Sequence, residues 1–337
     1  MGNLMNKAIK KLCNVHVIQE VQKRYRIDPC TLTNLNGNES FVYSYSSRNK
    51  EFVLKITHSF HRSFEQIMAE VDWLQYLDAH GVKVSLATLS INGQYVEKID
   101  CGDSYFSAVS YEKAKGKIVK QHSHDSNLLQ NWGRTMGRIH NVSKDYHCTS
   151  LTIKRPEWNE NKYLDISKWL PSDFTSIIQA FNNIYEKLRI LPKGINDYGL
   201  IHSDLHHQNF LLDNNHITVI DFDDSEYSWF INDIAKTVYN ETFNFSVHPK
   251  ERFKFAQFFL HHFMIGYLRE NSIDSILMKH FNDFLQFRHI FVFTRKYQKI
   301  NSGKNHSYEK KLINKFHFDL EEVIPLLEFN RVNCTIK

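Results

Sequence analysis

Cysteine is scarce in this chain of 337 residues, and the five present, Cys13, Cys30, Cys101, Cys148 and Cys334, are far apart, odd in number and without a CxxC pair. That spacing disfavours both a disulfide framework and a zinc site, and it fits a reducing, cytoplasmic setting. A dominant charge is lacking too. The 42 Lys and Arg against 37 Asp and Glu leave a net charge of +5, and the basic residues are spread along the chain, so attraction to anionic small ligands is expected and a nucleic-acid groove is not. Long apolar runs are missing: the best candidate, 255–268, is interrupted by His261 and His262, is too short to span a bilayer and reads as a buried core helix. No membrane span is expected, and the N-terminus lacks the basic start, apolar stretch and small-residue site of a secretory signal. Repeats and low-complexity tracts are also lacking.

What is present suits a two-lobed enzyme. A hydrophobic content of 42% with 14% aromatic residues supplies a sizeable core, and the length allows two lobes. After a predicted helix over 8–25, the stretch 32–57 reads as three strands, with Phe41, Tyr43 and Tyr45 alternating in the middle one. Phe52, Leu54 and Ile56 then alternate with Val53, Lys55 and Thr57, which sets Lys55 on the face opposite the apolar row. A helix over 63–79 and strands over 86–91, 95–99 and 105–111 follow, with Asn92-Gly93 as a turn between the first two of these strands.

Composition changes at Tyr111, since 112–120 is polar and almost everything later is helical. The expected division is therefore a first lobe over 1–111 and a second over 112–337, giving an α+β fold. In the helix predicted over 128–142, Leu128, Trp132, Met136 and Ile139 form a buried face, and Gly133 and Gly137 admit a close neighbour.

The chemistry concentrates in 200–235, LIHSDLHHQNFLLDNNHITVIDFDDSEYSWFINDIA. His202, Asp204 and Asn209 give the spacing HxDxxxxN, and Asp221 follows twelve residues after Asn209, beyond a hairpin turn at Asp213-Asn214-Asn215. Phosphoryl transfer needs positioning and charge neutralisation more than covalent chemistry. Asp204 is the residue to orient an acceptor hydroxyl and receive its proton, while Asn209 and Asp221 offer the hard oxygens that Mg2+ prefers. His202 reads as structural. A zinc cluster of His202, His206 and His207 is disfavoured by the absence of an HExxH helix or matching cysteine.

These residues resemble the aminoglycoside phosphotransferase and choline kinase superfamily, which has a protein-kinase-like two-lobed fold: a small β-rich N-lobe and a larger, mostly helical C-lobe. The resemblance implies an ATP- and Mg2+-dependent kinase. It implies that Lys55 holds the α- and β-phosphates and pairs with Glu70, that the backbone of Ser110 to Lys113, including Tyr111 and Lys113, reads the adenine edge, and that Asn38 to Ser40 is a backbone-amide loop over the phosphates. It also implies that Asp233, in Asn232-Asp233-Ile234-Ala235, braces the catalytic loop. Asp221-Phe222-Asp223 replaces DFG, no APE or long activation segment follows, and Leu35 to Ser40 holds one glycine where protein kinases have GxGxxG, so a small-molecule hydroxyl acceptor is expected over a protein.

Two cues bear on that acceptor. Asp224, Glu226 and Trp229 place acids and an aromatic after the metal-binding Asp221 and suit an ammonium group. Arg288 and Arg295, seven apart on a predicted helix over 284–297, suit a carboxylate. The bland alternative makes those arginines surface residues and those acids helix caps. Together the cues resemble the homoserine-kinase-like branch and favour an amino alcohol such as homoserine, with an aminoglycoside phosphotransferase or a non-catalytic nucleotide-binding scaffold as alternatives.

Overall fold

The computed structural model of the protein describes residues 7–37, 39–120, 125–148, 154–243, 245, 248–301, 311 and 313–316. Asn38 and Cys334 lie outside them. The chain divides into two compact units: the first comprises the described residues of Met1–Lys115, Tyr146–Arg155 and Thr218–Asp223, the second those of Gly116–Asp145, Pro156–Ile217 and Asp224–Lys337. The first change of unit thus falls after Lys115, and two later segments return to the first unit without any change of composition to announce them.

The first unit opens with α1 (Lys7–Leu12) and α2 (Val15–Tyr25), where a single helix was expected. The break is local chemistry: the Asn14 side chain accepts the N–H groups of His16 and Val17 at 3.0 and 3.2 Å and so caps α2. Strands β1 (Thr33–Asn34), β2 (Phe41–Ser47) and β3 (Lys50–His58) are antiparallel. Arg48 and Asn49 take positive φ of 49° and 62° at the tight β2–β3 turn. Leu54 and Ile56 pack with Val17, Val21, Phe106 and Ala108 in one apolar cluster, which puts Lys55 on the other face, as the alternation predicts.

Helix α3 (Phe64–Ala79) begins at a capping box in which Ser63 and Gln66 satisfy each other's backbone N–H. Then come β4 (Ala87–Thr88), β5 (Val96–Cys101) and β6 (Ser104–Glu112). The strand expected over 86–91 shrinks to two residues, and β4 and β5 both pair with β6 instead of with each other. The buried Glu97 explains this: its carboxylate draws in Ser90 Oγ at 2.5 Å and Asn92 Nδ2 at 2.8 Å, folding the turn residues onto it.

The second unit holds β7 (Lys117–Ile118), α4 (Ser126–Ser143), α5 (Thr175–Arg189), β8 (Tyr198–Ile201), β9 (Phe210–Asp213), the start of β10 (His216–Val219), β11 (Glu226–Trp229), α6 (Phe230–Thr242), α7 (Pro249–Tyr267), α8 (Ser275–Met278) and α9 (Phe281–Asn301). Asn214 and Asn215 have positive φ of 46° and 66° at the hairpin turn after β9, which asparagine tolerates. Helix α4 buries Leu128, Trp132, Met136 and Ile139. A Cβ at Gly133 would run into the Phe263 carbonyl, and one at Gly137 would lie 2.6 Å from the Tyr267 carbonyl, so these glycines allow α4 and α7 their close approach. Among the described residues no helix is long and apolar enough to cross a membrane.

Candidate active site

In the second unit, the loop after β8 carries the HxDxxxxN residues. Ser203 has φ of 71°, a left-handed conformation that a non-glycine residue holds only when its surroundings enforce it. Here Asp233 Oδ1 accepts the Ser203 N–H at 2.8 Å, Asp233 Oδ2 accepts the His202 N–H at 3.1 Å, and Lys236 Nζ donates to Ser203 Oγ at 2.5 Å. Asp233 also faces His140 Nε2 at 3.0 Å, with both side chains fully buried. Burial pushes the His140 pKa down, so the neutral ring donates from Nε2 and accepts the Tyr267 hydroxyl at Nδ1, 2.9 Å away. Burial alone would raise the Asp233 pKa, but the His140 hydrogen bond, with His202 and Lys236 nearby, outweighs it and holds the carboxyl below its usual range. The bracing role expected of Asp233 is therefore visible atom by atom.

Asp204 stands on this braced loop. Its Oδ1 accepts Asn240 Nδ2 at 3.0 Å and Arg288 Nη2 at 3.3 Å, and its Oδ2 lies 3.4 Å from His206 Nε2. Burial works against ionisation, but His206, Arg288 and His202 outweigh it, so the carboxyl titrates below its usual range and is ionised at neutral pH. Asn209 donates Nδ2 to the Asp204 carbonyl at 2.9 Å, which leaves its Oδ1 without a partner among the described residues. That oxygen is of the kind a hard divalent cation takes. The loop's histidines are each engaged: His202 Nδ1 accepts the Asp204 N–H, and His207 Nδ1 lies 2.9 Å from the buried Glu241 carboxylate.

In the first unit, Lys55 bonds Asp221 at 3.2 Å and Asp223 at 3.1 Å, not the expected Glu70. Glu70 has other partners, accepting the Tyr111 hydroxyl at 3.3 Å and lying 3.8 Å from Arg155 Nη1. Burial raises the Glu70 pKa. Asp223 is the centre of the cluster. His61 Nε2 lies 2.8 Å and Arg62 Nη2 3.3 Å from its Oδ2, and its carbonyl accepts Arg62 Nε and Arg155 Nη2. Burial opposes its charge, but Lys55, Arg62 and His61 hold its pKa well below the carboxylate range; reciprocally, burial would lower the Lys55 pKa, but Asp223, Asp221 and Glu70 hold it well above. His61 also contacts Glu39 at 3.0 Å. Despite burial, its two carboxylates raise it to about 9. Asp221 has φ of 59° and a side chain 53% exposed against 12% for Asp223, so it is the carboxylate open to a ligand.

The remaining predicted residues fare unequally. Ser40 is buried and shares a hydroxyl–hydroxyl hydrogen bond of 2.8 Å with Thr57, so its side chain ties the loop to β3. Gly37 is required there, since a Cβ would meet the Ser40 carbonyl. Tyr111 is buried on Glu70, and Lys113 forms a surface pair with Glu51 at 2.9 Å. In the expected adenine-reading stretch, the Glu112 and Lys113 N–H groups are taken by the Leu86 and Glu51 carbonyls.

Asp224 is exposed. Glu226 is not an open anion, because Lys236 binds it at 2.5 Å. Trp229 is a fully buried core residue whose Nε1 donates to the Pro192 carbonyl at 2.8 Å, its apolar ring being worth more packed than exposed. Arg288 sits on Asp204, and Arg295 stacks over Tyr163 at 3.5 Å, so the two arginines do not act as a pair. Sequence reasoning missed His61, Arg62, Arg155, Lys236 and Asn240. Only α6 carried a signal for the last two: Asp233, Lys236, Thr237, Asn240 and Glu241 recur at i, i+3, i+4, i+7 and i+8, a polar stripe on one helix face.

The chain is similar to known proteins along most of its length. Amicoumacin kinase of Bacillus subtilis (strain 168) is 34% identical over 328 residues, covering 97% of this chain and 98% of that protein. The solved structure of amicoumacin kinase hAmiN in complex with AMP-PNP, Ca2+ and Ami is similar with a TM-score of 0.89 at 32% identity, covering 96% of this chain and 98% of that one. A microcompartment-associated aminopropanol kinase shares the fold with a TM-score of 0.72 at 20% identity, over 90% of this chain and 94% of that one. The pattern of the phosphotransferase enzyme family (APH) matches residues 31–267, a span containing Lys55, the braced Asp204 loop, Asp221 and Asp223: the chain belongs to the phosphotransferase enzyme family.

Proposed function

We propose that this phosphotransferase moves the γ-phosphate of ATP to a hydroxyl group of a small molecule, with amicoumacin as the acceptor to test first. The observation that carries the reading is the ionised Asp204, held on a loop whose backbone N–H groups are fixed by the buried Asp233. The match to amicoumacin kinase over 97% of the chain supports the choice of acceptor.

Asp204 orients the acceptor hydroxyl and takes its proton as the oxygen attacks. Lys55, kept charged by its carboxylates, is the cation for the phosphates, which displace it from Asp221 and Asp223. Asn209 Oδ1, which has no partner among the described residues, and the exposed Asp221 carboxylate each offer an oxygen of the kind Mg2+ takes. When bound, Mg2+ neutralises phosphate charge.

Homoserine or a related amino alcohol is the second reading. Of its supporting residues, Arg288 is engaged by Asp204, Glu226 by Lys236, and Trp229 is buried. Exposed Asp224 is what still favours an ammonium-bearing acceptor.

The test is ADP release with Mg2+ and ATP against amicoumacin, homoserine, serine, choline, ethanolamine and several aminoglycosides. Amicoumacin should turn over, and Asp204→Asn should cut kcat by roughly two to four orders of magnitude while nucleotide binding persists. Turnover with homoserine alone moves the assignment to the second reading. ATP binding without ADP release, whatever the acceptor, defeats both in favour of a nucleotide-binding scaffold.

A further inference from the structure

The two oxygens of Asp204 are treated differently by the protein. Oδ1 accepts from two side chains on two helices, Asn240 of α6 at 3.0 Å and Arg288 of α9 at 3.3 Å, while Oδ2 faces His206 at the longer distance of 3.4 Å. Arg288 Nη2 also donates to Asn240 Oδ1 at 3.4 Å. Asp204, Asn240 and Arg288 therefore close a three-membered ring of hydrogen bonds. The guanidinium, a donor only, requires the Asn240 oxygen on its side and so turns the amide nitrogen to the carboxylate. Arg288 Nε is buried and has no hydrogen-bond partner among the described residues. Such a cost is seldom carried by a residue serving stability alone. The rest of the α6 polar stripe serves the same loop: Asp233 holds the His202 and Ser203 N–H groups, Lys236 the Ser203 hydroxyl, Thr237 the Leu205 carbonyl and Glu241 the His207 ring.

We infer that Asn240 and Arg288 are positioning residues for Asp204: by fixing Oδ1 they set the carboxylate rotation and present Oδ2 to the acceptor hydroxyl. This rests on the reading of Asp204 as proton acceptor in the proposed reaction. There the hydroxyl oxygen forms the new O–P bond, its proton passes to Asp204 Oδ2, and the bond from the γ-phosphorus to the bridging oxygen breaks with its electron pair leaving on ADP. Rotation of the carboxylate moves Oδ2 by an ångström or more, a displacement of the size that costs about 100-fold in rate. Arg288 thus acts through Asp204 and not, as its position on a late helix suggested, by binding an acceptor carboxylate.

A kinetic double-mutant cycle tests this. Arg288→Met and Asn240→Ser are each measured alone and in the Asp204→Asn background, with the thermal midpoint recorded for every variant. Each single variant should lower kcat by about 10- to 100-fold with KM for ATP and acceptor changed less than about twofold. In the Asp204→Asn background neither should lower kcat further, because the group they position is gone. Guanidinium ion added to Arg288→Ala should restore part of kcat. Rate losses that multiply in the double variants, or a raised acceptor KM at unchanged kcat, overturn the inference. If Arg288→Met does not fold, the Asn240→Ser arm decides alone. Should the unmodified protein turn over no acceptor, the proposed function fails, and the same cycle is read on hydrolysis of ATP, where water takes the place of the hydroxyl.

Discussion

Asp223 and Asp233 are both buried carboxylates, yet the two units stabilise them by opposite means. In the first unit Asp223 is surrounded by cationic side chains, Lys55, His61 and Arg62. In the second unit Asp233 is met by two backbone N–H groups and a neutral histidine. The lesson is a division of labour. Side-chain donors can exchange partners when an anionic ligand arrives and replaces the lost pairing. Backbone donors cannot move without unfolding the loop, so the Asp233 arrangement holds Asp204 in place before any ligand binds.

Replacing each carboxylate separates the two schemes. Asp233→Ala strands the His202 and Ser203 N–H groups and should destabilise the second unit by about 3 kcal/mol, with kcat falling by about 100-fold or more. Chemical denaturation and ADP release check it. A loss below about 1 kcal/mol would mean that the strained Ser203 backbone is held by something other than Asp233.

Gly133→Ala probes the frame beneath that loop, since His140 sits on α4, the helix that Gly133 lets close on α7. Overpacking there should cost about 2 kcal/mol. Urea unfolding is the measurement, and a neutral outcome would show that the α4–α7 contact yields without strain.

His61→Gln should have the smallest effect and the most distinctive pH dependence. Because the folded-state pKa is raised from 6.5 to about 9, the protonated ring's stabilisation is complete below the unfolded value and lost as pH rises through the folded one. The difference in thermal midpoint between the unmodified protein and His61→Gln should therefore be largest near the low end of that window and close above it. An equal difference at both ends would show that packing, not the proton, is what His61 supplies.

Much of the second unit's site is legible in the chain because its parts are close in sequence or follow a helical period. The HxDxxxxN spacing places Asp204 and Asn209 on one loop, and the α6 stripe from Asp233 to Glu241 repeats along one helix face. The first unit's cluster is less legible. Lys55 follows from strand alternation, but Arg155 reaches Asp223 from a segment with no motif, and no local rule favours Asp223 over Glu70 as the lysine's partner. Glu226 and Trp229 misled for a related reason: both follow Asp221 closely in sequence, but strand β11 turns one onto Lys236 and the other into the core.

The sequence by itself determined the face of the strand lysine, the HxDxxxxN loop and the glycines of α4, because each depends on neighbours within a few residues or on one period of a helix or strand. Only the tertiary structure decided which charges meet. Ion pairs such as Lys55 with Asp223 and Arg288 with Asp204 join residues 168 and 84 positions apart, and the energy that selects one long side chain over another depends on distance and burial in three dimensions, for which a linear spacing carries no term.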